Sequence, residues 1–187
     1  MEIGINKVHF NISSTNNKLN IVNKEWVWDY FLKNENTIRK LIDINKTYIS
    51  AEITQLYMAF ENYDFADYFE KIKNIWKNKD IVIACGERVF NNIQNNIFDC
   101  AKSIEYINCP STNAFSKYEE ILNRLKQIEK SKLIILILGP TATVLAFDLH
   151  NLGYRALDFG HIAKDYDAYC KKLTKTHENV AKFFDAD

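Results

Sequence analysis

The chain has few of the residues that punctuate structure, with 2 prolines and 5 glycines among 187 residues. Each one that falls at an element boundary is therefore informative. An excess of one charge is missing too: Lys and Arg number 24, and so do Asp and Glu. That balance leaves no electrostatic footprint for nucleic acid or for an anionic bilayer, and directs the search for partners to a local pocket. No stretch approaches the roughly 18 apolar residues of a membrane span. The opening residues MEIGINKVHF hold no apolar run of the secretory type. The four cysteines (Cys85, Cys100, Cys109 and Cys170) form no C-x-x-C pair, which speaks against zinc and for reduced thiols. A cytoplasmic protein without a transmembrane segment is the expectation.

Common catalytic signatures are also lacking. The chain contains no G-x-G-x-x-G, no Walker lysine motif and no G-x-S-x-G elbow, which disfavours dinucleotide dehydrogenases, P-loop NTPases and serine hydrolases. His9, His150 and His177 stand without neighbours at metal-ligand spacing and are read as structural or surface residues.

Present instead is a pattern of short apolar runs separated by amphipathic stretches. Residues 81–85, 104–107, 133–138 and 154–158 read as strands. Helical periodicity joins Phe65, Tyr68, Phe69, Ile72 and Trp76, then Phe115, Tyr118, Ile121, Leu122, Leu125 and Ile128, then residues 141–151. A short helix is expected around Ile97. Strands apolar throughout and separated by helices imply an α/β, Rossmann-like, mostly parallel sheet with helices on both faces. The 133–138 run, with no polar alternation, is expected at the centre of the sheet. We read residues 1–187 as a single domain: 1–22 irregular, 23–79 a mainly helical extension and 80–170 the Rossmann-like core. Within the extension, apolar spacing predicts a helix over 24–44 that Asn34 and Asn36 could divide, and β-branched residues predict an extended segment over 47–57.

Ligands of open parallel sheets sit beyond the carboxyl ends of the strands, so the residues following each strand are the candidate site. Gly139-Pro140-Thr141-Ala142-Thr143 links the central strand to a helix. The first turn of that helix offers unsatisfied N–H groups and positive dipole charge suited to a phosphate; the alternative is an ordinary turn capped by Thr141. Asp158 and His161 end the next strand and could meet a ribose, a metal or an acceptor hydroxyl, or be satisfied by backbone groups. Asp165 and Asp167 could contact metal or substrate, or simply favour a helix start. Gly86 and Glu87 follow the first strand, where Glu87 and Arg88 could hold a hydroxyl and a phosphate or merely solvate a loop.

Three segments carry a resemblance: Cys109-Pro110-Ser111-Thr112-Asn113-Ala114-Phe115, the stretch 138–149 beginning Leu138-Gly139-Pro140-Thr141, and the stretch 153–162 containing Asp158-Phe159-Gly160-His161. In order and spacing they resemble the GT-D type glycosyltransferases of bacteria, over about residues 20–170. The resemblance implies a hexose transferred from a UDP-sugar to a bacterial glycan or glycoprotein acceptor. A divalent metal, Mn2+ or Mg2+, would be held through an Asp-x-Glu motif. It also implies donor contacts at Asn113, Gly139, Pro140, Thr141 and Thr143, with Asp158 and His161 catalytic; Gly86 and Glu87 join the expected donor site from their place after the first strand.

The chain departs from the family pattern in three places. No Asp-x-Glu triplet occurs in the N-terminal stretch, so that metal segment is expected to be missing. The family's Arg- and Gly-containing loop reads Glu87-Arg88-Val89-Phe90-Asn91-Asn92-Ile93-Gln94-Asn95-Asn96, and its Asp-Ile-Glu-Tyr-Glu becomes Ala163-Lys164-Asp165-Tyr166-Asp167. The alternative implied by these changes is a non-catalytic relative acting as a binding or scaffold subunit. With 12 Phe and 10 Tyr residues, exposed aromatics could also mark a homo- or hetero-oligomeric interface.

Overall fold

The computed structural model describes residues 4–5, 32–41, 43 and 49–184. The irregular stretch expected over 1–22 lies outside the described residues except Gly4 and Ile5, and so does His9. Strand β1 (Gly4–Ile5) pairs in parallel with β2 (Ile49–Ser50), and helix α1 (Leu32–Leu41) lies between them in the chain. α1 runs unbroken through Asn34 and Asn36, with Arg39 bonded to Glu35 one turn back at 2.7 Å. The rest of the helix expected over 24–44 lies outside the described residues, Asp43 apart.

The extended segment expected over 47–57 is corrected by the structure. Among its described residues only Ile49–Ser50 is strand; Ala51–Thr54 forms a 3-10 turn and Leu56–Ala59 the short helix α2. The cause is tertiary: the buried carboxylate of Asp165 accepts the amides of Tyr57 and Met58, each at 2.9 Å. Those bonds satisfy the free donors of a helix start and override local β preference.

Asp64 caps helix α3 (Phe65–Lys73), accepting the amide of Asp67 at 3.0 Å. The chain then turns through Asn78, a left-handed residue, into β3 (Asp80–Gly86). A 3-10 turn at Ile97–Cys100 replaces the helix expected there and leads into β4 (Ser103–Cys109). Helix α4 (Tyr118–Leu125), β5 (Leu133–Ile137), helix α5 (Pro140–Asn151), β6 (Arg155–Asp158), helix α6 (Ile162–Cys170) and helix α7 (His177–Phe184) follow.

The four strands β3 to β6 form an all-parallel sheet in the order β4-β3-β5-β6. β5 thus lies inside the sheet, as its unbroken apolar run predicted, and all five of its residues are buried. Alternate residues feed two cores. Ile81, Ile83, Cys85, Ile135 and Ile137 meet Phe69, Trp76, Phe98 and Ile162 on one face. Val82, Ala84, Ile134 and Leu136 meet Ile121, Leu125, Ala142 and Leu145 on the other. Each large apolar side chain so buried contributes about 1.5–3 kcal/mol, and together they fix where the strand ends lie. All four cysteines are free thiols; burial pushes Cys85 up to about 12, while Cys170 is exposed.

No helix among the described residues is long and apolar enough to cross a membrane.

Candidate functional site

The strand order places a switch point between β3 and β5. The chain leaves β3 toward β4 on one side, whereas it leaves β5 toward β6 on the other, so the two connections diverge and open a crevice at the carboxyl ends. A cleft of about 580 Å³ occupies that position, within the range of small-molecule sites.

Its floor is built by two glycines with different physical reasons to be glycine. Gly86 ends β3, and a Cβ there would stand 2.9 Å from the Cα of Ser111, so only a bare Cα lets the loop after β4 come this close. Gly139 has φ +53 and ψ −145, a conformation essentially restricted to glycine, and a Cβ on it would meet nothing within 4 Å. Backbone geometry therefore dictates the second glycine, and open cleft lies above it.

Pro140 then starts α5 at the position where its missing N–H costs nothing. Of the first amides, that of Ala142 bonds to the Gly139 carbonyl at 3.0 Å. The Thr141 amide has no carbonyl partner among the described residues. Thr141 itself is only 5% exposed, lines the cleft, and its hydroxyl receives no hydrogen bond from a described residue. A buried, unpartnered hydroxyl in a cleft at a helix start is a group whose desolvation a ligand can compensate.

The opposite wall is the start of α6. His161, Ala163 and Lys164 line the cleft, and His161 lies against the Phe183 ring of α7 with centroids 5.2 Å apart. Two helix N-termini thus open on one space, and both dipoles favour an anion there. Among the described lining residues there is no carboxylate, and Lys164 carries the one fixed positive charge.

Of the residues expected at the site, Gly86, Asn113, Gly139, Pro140, Thr141 and His161 come together around the cleft. Glu87, Thr143, Asp158, Asp165 and Asp167 are not part of its lining. Glu87 is exposed and extends the β3–β4 ladder through its amide to the Cys109 carbonyl. Thr143 donates to Asp158 Oδ2 at 2.7 Å, and the Gly160 amide donates to Asp158 Oδ1 at 3.2 Å. Asp158 is exposed and outside the lining; desolvation raises its pKa, and these two bonds oppose the rise.

Asp165 is fully buried. Desolvation lifts its carboxyl to about 7 against the pull of the Tyr57 and Met58 amides and of Lys175. Asp167 accepts the amides of Gln94 and Asn95, the Asn95 side chain and the Lys171 ammonium. Desolvation works to raise its pKa as well, but Lys171 and these donors outweigh it and hold the carboxyl below its usual range. The first carboxylate ties α6 to α2, and the second ties α6 to the loop after β3.

The metal implied by the resemblance finds no donor set among the described residues. Among the described residues no group of three His, Cys, Asp or Glu side chains could hold an ion, and Asp158 and Asp167 spend their oxygens on protein donors.

Sequence reasoning missed Lys164 and Phe115. Lys164 was legible in principle, because a lysine in the first turn of a helix works against the dipole. Phe115 was assigned to the apolar stripe of a helix, but it stands in the 3-10 turn Ala114–Lys117 and is 58% exposed at the cleft rim. The tighter 3-10 pitch, following left-handed Asn113, turns it off that stripe.

A family model described as glycosyltransferase GT-D fold matches residues 1–184. The probable glycosyl transferase Gly of Streptococcus gordonii is 42% identical over 127 residues, which is 65% of this chain and 19% of that protein. Glycosyltransferase GlyD of Streptococcus pneumoniae serotype 4 is 38% identical over 147 residues, 75% of this chain and 18% of that one. The chain therefore spans about a fifth of the length of these relatives. A solved structure described as a new glycosyltransferase from Streptococcus sanguinis matches with a TM-score of 0.77 and 34% identity, covering 86% of this chain and 60% of the other. A second, described as a domain of unknown function 1792 with a distinct glycosyltransferase fold, has a TM-score of 0.81 at 28% identity, covering 100% of this chain and 69% of the other.

Proposed function

Because the chain belongs to the glycosyltransferase GT-D fold family, we propose that it binds a UDP-sugar in the cleft between β3 and β5 and transfers the hexose to a bacterial glycan or glycoprotein acceptor in the cytoplasm. The observation that carries the reading is Thr141: a buried hydroxyl without a partner among the described residues, at the first turn of α5, in a cleft with no carboxylate in its described lining. The diphosphate is the part of the donor that fits this place. It would accept from the Thr141 amide and hydroxyl, lie in the positive ends of α5 and α6, and pair with Lys164. Charge-assisted hydrogen bonds of this kind contribute about 1.5–3 kcal/mol each.

His161 lines the same wall and is the described side chain placed to exchange a proton with an acceptor hydroxyl. Asp158 acts through others in this reading. Its carboxylate fixes the Gly160 turn that presents His161, and also holds the side chain of Thr143 in the first turns of α5. It is a positioning residue.

Titration calorimetry with UDP, UDP-glucose and UDP-galactose, with and without Mn2+, tests the proposal against Thr141→Arg and Lys164→Met. The wild type should take up UDP, Thr141→Arg should abolish the heat, and Lys164→Met should weaken it about tenfold. An absence of heat from the wild type with all three ligands, or undiminished heat from Thr141→Arg, would remove the cleft as the donor site. Donor uptake without transfer to any acceptor would instead identify a binding subunit.

A further inference from the structure

His161 stands at the N-cap position of α6, yet its side chain makes no cap bond to that helix. The Asp158 carboxylate fixes the backbone turn before it through the Gly160 amide. The imidazole itself lies against the Phe183 ring, with centroids 5.2 Å apart and planes inclined by 36°, a separation and tilt at which aromatic rings attract. Phe183 belongs to α7, the last described helix of the chain.

α7 has 8 residues, too few to hold a helical shape alone, and the segment before it supplies the anchorage. The Tyr57 hydroxyl donates to the Leu173 carbonyl at 2.9 Å. Lys175 donates to the Phe60 carbonyl, and its ammonium stands 4.6 Å from the ring centroids of Tyr57 and Phe65, a cation held by two aromatic faces. Thr176 caps α7 by accepting the Asn179 amide at 3.2 Å. Val180 and Phe183, on one face of the helix, then bury themselves with Met58 of α2 and Ala168 of α6. The side chain that helps to seat α7 is thus the one that touches His161.

Resting on the reading of His161 as the group that takes the acceptor's proton, we propose that α7 is part of the site and that Phe183 is a positioning residue, its ring holding the His161 imidazole toward the cleft.

The step that needs such support is the proton transfer. As the acceptor oxygen bonds to the hexose and UDP departs, the hydroxyl proton passes to the imidazole, which must stand within hydrogen-bond reach. A misplacement of about 1 Å at a reacting group costs about a hundredfold in rate. The diphosphate contacts assigned to Thr141 and Lys164 make no use of the imidazole, so Phe183 acts on turnover and leaves donor uptake alone.

UDP release from UDP-glucose, with water as acceptor, and UDP calorimetry test this on the wild type, Phe183→Leu, Phe183→Tyr, His161→Gln and the double variant of Phe183→Leu with His161→Gln. Phe183→Leu keeps an apolar side chain in the cluster and removes the ring. It should lower kcat about tenfold, with KM for UDP-glucose and UDP affinity within about twofold of wild type; Phe183→Tyr should restore kcat. In the His161→Gln background Phe183→Leu should cost nothing further, because a ring that acts through the imidazole has nothing left to position. The ring-proton resonances of His161 should also shift in Phe183→Leu as the neighbouring ring current is lost. Undiminished kcat in Phe183→Leu overturns the proposal, and so does an equal loss in both backgrounds, which would mark a purely structural role. A wild type that takes up UDP but releases none from UDP-glucose overturns it while sparing the donor cleft, and a wild type that takes up no UDP refutes the donor reading itself.

Discussion

The Thr143 hydroxyl donates a 2.7 Å hydrogen bond to the Asp158 carboxylate, and this bond joins the start of α5 to the end of β6. The other carboxylate oxygen accepts the Gly160 amide at 3.2 Å, so one side chain sets the separation of the two helix starts that face the cleft. Neither Thr143 nor Asp158 lines the cleft, but their bond links the elements on either side of the α5 start.

Replacing Asp158 therefore has a graded outcome. Asp158→Ala loses both bonds and should cost about 1–2 kcal/mol in urea unfolding, with a matching fall in UDP affinity. Asp158→Asn keeps an acceptor for Gly160 and escapes the desolvation that raises the carboxyl's pKa. It should therefore retain wild-type stability and UDP affinity within about threefold. Loss of UDP binding in the Asn variant would show that the charge itself, rather than the bond geometry, serves the ligand.

The sheet was legible because β3 and β5 are buried on both faces, and only continuous apolar runs such as 81–85 and 133–138 satisfy that environment. The position of Gly139 and Thr141 followed, since any residue after an inner strand of such a sheet reaches the crevice. What stayed hidden depends on contacts distant in sequence. No local pattern around residues 56–59 announces a helix whose cap is Asp165, 107 residues away from Met58. Asp165 and Asp167 look like free acids when read along the chain, and only the fold shows which amides they hold. α7 carries too short a periodic stretch to be read, and its place comes from Val180 and Phe183 meeting Met58 and Ala168.

The two cleft glycines should fail in different ways. Gly139→Ala meets no atoms, so its cost is the strain of a positive φ, about 1–3 kcal/mol. Relaxation of that strain would rotate the first peptide of α5 and lower UDP affinity. Gly86→Ala collides with the Ser111 backbone and should displace the 110–113 loop, which carries Asn113. Chemical shifts or hydrogen exchange would report movement near Ser111 in the second variant and near Thr141 in the first.

Thr141→Val separates binding from stability. The substitution keeps the side-chain shape but removes a buried hydroxyl that has no described protein partner, so the folded state should be as stable as wild type or slightly more so. UDP affinity should fall about tenfold as one donor to the diphosphate disappears. A destabilised Thr141→Val with unchanged UDP binding would mean that the hydroxyl serves the protein and not a ligand.

Asp165 makes stability depend on pH in a definite direction. Its carboxyl is raised from 3.8 to about 7 by desolvation, with the Tyr57 and Met58 amides and Lys175 opposing the shift, while the phenols of Tyr57 and Tyr68 also face it. A raised folded-state pKa means that the folded protein binds more protons than the unfolded chain between those two values. The stabilisation is complete below the unfolded pKa and is lost as pH rises toward about 7. Each unit of difference corresponds to about 1.4 kcal/mol. Urea unfolding at pH 4.5, 6 and 8 should therefore show the wild type weakening across this window. Asp165→Asn, which cannot ionise and still offers an acceptor to the α2 amides, should give a flatter profile. Asp167, held below its usual range, titrates at lower pH with the opposite sign, and so cannot mimic the effect. An Asn variant as pH-sensitive as the wild type would take the effect away from Asp165 and point to the other raised carboxyl, that of Asp158.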